Sequence, residues 1–332
     1  MKRLLTTLLI ACPLALGACD DSGEDSTSAA WIDAPTDELP ADIAELGLYP
    51  DLGDVSVVHP RATLYTPRWP LWTNGGLKTR YVVLPEGMSV NATTESPWDF
   101  PVGSMLFKTF AFKRTPDGEP IPVETRVMRR TDEGWIYDGY QWSEDGATAT
   151  LRDVRRSALV QVYDDAGEPF EHRIPNKLDC ESCHVSEPGE VLGFGPRQLA
   201  ADDLSALAGQ GVLDVSPEPY TLPLEGLDGE IAAYFVANCT FCHNGGSGAS
   251  NAFDMRPEVL LENVINTPTE GSGSTVGLRV VPGSPEESVL FQAVSGESDD
   301  PELKLMPPDD LVQLRDVEGI EMLRRWINSL EP

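Results

Sequence analysis

The sequence predicts a multidomain α+β chain in which an N-terminal antiparallel β-sandwich-like domain is followed by an α-helical region. From about residue 46 to residue 175, short runs rich in β-branched and aromatic residues are punctuated by Gly, Pro and Asp, whereas helical signals gather beyond residue 200. A length of 332 residues leaves room for about two domains, and 41% hydrophobic with 8% aromatic residues is enough for packed cores.

Residues 1–18 read as a signal segment. Lys2 and Arg3 precede an apolar run, Leu4 to Leu16, that is too short to span a bilayer. The run ends in Leu16-Gly17-Ala18-Cys19, which resembles the lipobox of bacterial lipoproteins. The resemblance implies a lipid on Cys19; a plain cleaved signal peptide ending near Ala18 is the alternative. Residues 19–45, rich in Asp, Glu, Ser, Thr and Pro, are expected to form an acidic flexible tether. Such a tether would reach roughly 25–30 Å. The expected location is therefore exported, anchored to a membrane through Cys19 and facing the periplasm. Inner and outer membrane both stay open, with Asp20 resembling an inner-membrane retention signal.

Within the β-rich domain, residues 46–175, the expected strands are Leu77–Leu84, Met105–Phe112, Val123–Arg129, Trp135–Trp142, Thr148–Val154 and Leu159–Tyr163. Turn signals separate them, among them Pro116-Asp117-Gly118 and Asp145-Gly146. Trp69, Trp72, Trp98, Trp135 and Trp142 all fall here, and core packing is their expected use, ahead of sugar binding. Residues 176–226 hold the first of two cysteine pairs and a short helix over Asp203–Gln210. In residues 227–332 a helix over Leu227–Cys239 is expected, with Asp228 as N-cap and Ile231, Tyr234 and Phe235 on one face. The last helix is capped by Asp316 and repeats apolar residues at Ile320, Leu323, Ile327 and Leu330.

With 54 acidic against 24 basic side chains, the formal charge is −30. Nucleic acid and anionic lipid surfaces are poor partners for such a chain; a basic redox protein is a better one. The paired acids Asp299-Asp300 and Asp309-Asp310 read as solvated loop ends, with calcium as the rival use.

Of the six cysteines, Cys12 leaves with the signal and Cys19 takes lipid. The other four form Cys180-Glu181-Ser182-Cys183-His184 and Cys239-Thr240-Phe241-Cys242-His243. Thiols three apart on a helical turn can add to the two vinyl groups on one porphyrin edge, and the histidine that follows can donate a nitrogen to iron. Two of the chain's four histidines directly follow a CxxC pair. A thioredoxin-like site would need a βαβ setting that neither pair has, and a four-cysteine zinc site gives no reason for the histidines. Two covalently bound haems c are therefore expected, held by Cys180, Cys183, Cys239 and Cys242, with His184 and His243 as proximal iron ligands. Met306, in Leu305-Met306-Pro307-Pro308, is the expected distal ligand of the second haem. For the first haem the distal candidates are His172 and His59, with Met255 and an open position as further options.

From residue 227 onward the chain resembles a class I cytochrome c domain: Phe235 four residues before the motif, Met306-Pro307, and Leu323-Arg324-Arg325-Trp326-Ile327 match its pattern. Ile231 stands where that family often places glycine. The longer chain resembles a family of bacterial di-haem c-type cytochromes with an N-terminal β domain. The matching blocks are Pro70-Leu71-Trp72-Thr73-Asn74-Gly75, Phe100-Pro101-Val102-Gly103-Ser104, Lys108-Thr109-Phe110, Glu124-Thr125-Arg126, Ile174-Pro175-Asn176, Gly195-Pro196-Arg197-Gln198-Leu199 and Val281-Pro282-Gly283. The resemblance implies a cytochrome c-type di-haem region and electron transfer, and Pro196 as an acceptor that orients His184. Two other functions stay in play: a di-haem peroxidase that reduces hydrogen peroxide, and a β-domain ligand-binding module with a haem electron outlet.

Overall fold

The computed structural model describes residues 38–92, 97–152, 155–184, 191–246, 253–269, 276–308 and 312–331. The signal segment, Cys19, most of the expected tether and the Asp309-Asp310 pair lie outside the described residues. Among the described residues the architecture is mixed α+β: eight strands in one antiparallel sheet, and six helices.

The strands are β1 (Ala62–Leu64), β2 (Leu77–Val83), β3 (Met105–Lys113), β4 (Pro120–Thr131), β5 (Gly134–Trp142), β6 (Ala149–Leu151), β7 (Ala158–Tyr163) and β8 (Pro169–Ile174). The first six run as a meander, and the β7–β8 hairpin joins the far end of β3 through Lys113 and Tyr163, beyond a bulge at Phe110/Ala111. The expectation of two packed sheets is thus replaced by one open sheet. Its apolar faces are covered by other means. Residues ahead of β1 lay Ile43, Leu46 and Leu48 over Phe107, Val127, Tyr140 and Trp142 on one face. Trp98, Phe100, Phe194, Leu204 and Leu207 cover Val82 and Leu106 on the other. Successive strand residues point to opposite faces, so β3 serves both layers. Ile43, within the expected tether, is 1% exposed, and Tyr140 Oη donates to the Pro40 carbonyl at 2.8 Å. Packing therefore starts ahead of residue 46.

The helices are α1 (Lys177–His184), α2 (Ala201–Gly209), α3 (Gly226–Asn238), α4 (Leu260–Val264), α5 (Val289–Ser295) and α6 (Val317–Ser329). Asp316 caps α6 as expected, its carboxylate accepting from the Gly319 amide at 3.0 Å. The capping expected of Asp228 is not found: Glu225 is the N-cap residue of α3, and Asp228 accepts from Trp326 Nε1 at 2.7 Å instead. The carboxylate is worth more across the helix pair, where the indole N–H would otherwise be buried unbonded. Phe235 and Trp326 meet edge-on at 6.4 Å. The close approach of α3 and α6 relies on a glycine in α6, not in α3, because a Cβ on Gly319 would sit 2.5 Å from Tyr234 Cζ. Gly319→Ala is expected to cost about 1–3 kcal/mol by overpacking, read as a lower denaturation midpoint.

The Trp72-Thr73-Asn74 loop ties the sheet to the C-terminal helices. The Trp72 amide donates to Asn238 Oδ1 at 2.7 Å. Asn74, buried at φ 51°, accepts from the amides of Gln313 and Leu314 at 3.0 and 2.9 Å. No helix among the described residues is long and apolar enough to cross a membrane.

Candidate functional site

Helix α1 starts with a reciprocal cap: the Asn176 amide donates to Asp179 Oδ2 at 2.9 Å, and the Asp179 amide to Asn176 Oδ1 at 3.2 Å. Asp179 also pairs with Arg173 of β8 at 2.9 Å, which fixes the helix to the sheet. Cys180 follows Asp179 directly, and Cys183 and His184 come one turn later. The second motif follows the end of α3 as a further turn, with the Cys239 amide donating to the Phe235 carbonyl at 2.8 Å and the His243 amide to the Cys239 carbonyl at 2.9 Å. Both motifs therefore wrap their thiols around one helical turn. Each histidine lies against an aromatic ring, His184 at 4.9 Å from Tyr137 and His243 at 4.8 Å from Phe253.

The two motifs meet: the Cys242 thiol is hydrogen-bonded to Cys183. That bond and burial push the Cys242 thiol up. Burial pushes Cys180 to about 11 despite Arg126, and Cys239 to about 12. A thiol–disulfide exchange site works by the opposite shift, toward the thiolate. None of the four cysteines is in a disulfide. Among the described residues, no three His, Cys, Asp or Glu side chains are grouped to hold a metal ion.

A cavity of about 730 Å³ opens between the sheet, α1 and the end of α3. That is within the roughly 300–1,000 Å³ common for small-molecule and cofactor sites. Cys183, His184, Trp69, Pro196, Val236 and Phe241 give it apolar and aromatic walls. Among the described residues five cations also line it, Arg80, Lys108, Arg126, Arg197 and Arg256, against one acid, Glu218. In a chain of net charge −30, this reverses the overall balance. The wall also contains Asn244, 6% exposed, whose Nδ2 has no hydrogen-bond partner among the described residues. A flat apolar group that carries carboxylates fits such a site, and haem is one.

Comparison of the chain with family models, with curated proteins and with solved structures finds no match.

Met306 packs against the C-terminal core that also receives Cys239, alongside Phe235 and the buried Met255. The Met255 amide donates to the His243 carbonyl at 2.8 Å, so two thioether residues share the second motif's surroundings. The histidine candidates for the first haem are placed elsewhere. His172 is buried on β8 beside Phe112, at 4.4 Å between ring centres, and its Nε2 lies 3.9 Å from Glu124 Oε2. His59 follows the segment that covers the opposite sheet face, with its backbone amide bonded to the Leu48 carbonyl. Neither lines the cavity with His184. Met128 does, and so does Lys108. Sequence reading missed both, because only the strand register brings β3 and β4 side chains to α1. Of the tryptophans, Trp98 and Trp142 are core residues as expected, whereas Trp69 lines the cavity under the Arg68 guanidinium at 3.9 Å.

Proposed function

We propose that the chain is an exported, lipid-anchored di-haem c-type cytochrome that transfers electrons between periplasmic or membrane redox partners. The meeting of two CxxCH turns at Cys183 and Cys242 carries this reading, since groups held by them are neighbours. Bound haem supplies a one-electron iron couple. The chain would supply the attachment: Cys180, Cys183, Cys239 and Cys242 would each hold a haem vinyl group as a thioether, the sulfur adding across the double bond and the thiol hydrogen going to the terminal carbon. His184 and His243 would each hold an iron through a ring nitrogen, with Tyr137 and Phe253 packed against their rings at 4.9 and 4.8 Å. Met306 is the distal ligand proposed for the second haem. The helical region from residue 227 is read as cytochrome c-like on the α3–α6 contact and the placement of Met306 beside it. The acidic exterior favours a basic partner protein.

Two measurements test this reading. Met306→Ala is expected to lower one midpoint potential by on the order of 0.1 V, within the roughly 0.8 V that axial ligands span, and to leave the other in place. Equal potentials in mutant and wild type would assign the ligand elsewhere. Carbon monoxide is expected to bind the reduced protein slowly or not at all, with negligible peroxide turnover. Rapid binding to one haem of two, with donor-dependent peroxide consumption, would make the protein a peroxidase.

A further inference from the structure

The cavity's cations are not scattered. In the strand register Arg80 of β2 stands directly opposite Lys108 of β3, and Lys108 directly opposite Arg126 of β4. Three positive side chains thus form one row across the sheet, on the face that lines the cavity. Like charges directly opposite one another destabilise a sheet. Arg126 is compensated by Glu124, its Nε donating to Oε1 at 2.8 Å. The side chains of Arg80 and Lys108 form no ion pair and no hydrogen bond among the described residues, although Arg80 is only 6% exposed. Lys108 Nζ has the Phe110 ring 4.8 Å away. Burial, followed by the repulsion of Arg80 and Arg126, holds Lys108 well below the usual lysine range.

Such a row is costly unless a negative charge sits against it. What lies across the cavity decides which. The same space is walled by Cys183 and His184, and the Asn244 Nδ2 in the wall after the second motif is a buried donor without an acceptor among the described residues. A haem has two propionate carboxylates, which match two uncompensated cations.

We propose that Arg80 and Lys108 receive the propionates of the haem attached at Cys180 and Cys183, so that the β-sheet forms half of that haem's site. This rests on the di-haem reading above. The sheet is then not a separate ligand-binding module. Its central strands supply the counter-charge that the acidic remainder of the chain lacks, and they raise the potential of the first haem. Arg80 and Lys108 are positioning residues that act through the propionates.

The test compares the purified holoprotein with Arg80→Gln/Lys108→Gln and with the charge-preserving Arg80→Lys/Lys108→Arg. A haem-stained denaturing gel comes first; a wild-type protein without covalent haem would defeat the di-haem reading itself and is seen before any potential is measured. The neutral double variant is expected to keep both haems and to lower one midpoint potential by the equivalent of a tenfold change in the reduction equilibrium, about 59 mV for one electron. The charge-preserving pair is expected to restore most of the shift, which a merely structural role would not do. If the double variant does not accumulate, Lys108→Gln alone is expected to show a smaller shift of the same sign. Unchanged potentials in a variant that carries both haems would overturn the proposal. So would a wild-type spectrum that responds to added succinate when the neutral variant's does not, because the cations would then hold a free carboxylate and not a propionate.

Discussion

Glu124→Ala is expected to lower stability by about 3–5 kcal/mol, the cost of leaving a buried charge without its partner. Glu124 is 0% exposed and takes the Arg126 guanidinium on one oxygen, with His172 Nε2 3.9 Å from the other. Removing the carboxylate strands Arg126 beside Lys108, so the repulsion along the row grows. Glu124→Gln keeps the shape and one acceptor, and is expected to lose less. The same carboxylate gives a pH dependence. Burial pushes its pKa up, but Arg126 and His172 outweigh burial and hold it below its ordinary value of 4.5. A depressed carboxylate stabilises the fold above its unfolded value, and that contribution is lost as pH falls through the lower, folded value. Wild-type stability is therefore expected to fall on acidification below about 4.5, and Glu124→Ala to lack this part of the decline. Urea denaturation at neutral and acid pH reads both effects; a variant within about 1 kcal/mol of wild type at neutral pH would contradict the account.

Trp326→Ala is expected to cost about 3–5 kcal/mol as a large-to-small core change. The indole is 0% exposed, packs edge-on against Phe235, and donates to Asp228. Truncation removes the packing of α6 on α3 and leaves the Asp228 carboxylate without its buried donor. Trp326→Phe retains most of the ring and is expected to cost about 1 kcal/mol for the hydrogen bond alone. Because α3 leads directly into Cys239, the alanine variant is also expected to loosen the second motif. Thermal unfolding reads the stability difference between the two variants.

Much of the sheet is legible in the sequence because β2, β3, β4, β5 and β7 carry β-branched and aromatic residues between strong turn signals. β1 escapes notice because three residues show no alternation, and β8 because Glu171, His172 and Arg173 interrupt its apolar pattern. His172 is buried there all the same, since Glu124 and Asn74 face it. The sandwich expectation fails for a reason that local patterning cannot contain: the second face is covered by Ile43, Leu46 and Leu48 from a segment whose composition is acidic. The CxxCH spacing is fully local and therefore readable. The row of Arg80, Lys108 and Arg126 is not, because it exists only through the register of three strands. Asp228 shows the same limit at a helix start, where local capping signals lose to a tertiary partner.

The intact mass of the denatured protein tests the central claim most directly. The account predicts the mass of the processed, lipid-bearing chain plus two haems, falling by one haem in Cys180→Ser/Cys183→Ser and by the other in Cys239→Ser/Cys242→Ser. A wild-type mass equal to the polypeptide alone, with the four thiols open to alkylation, would contradict it.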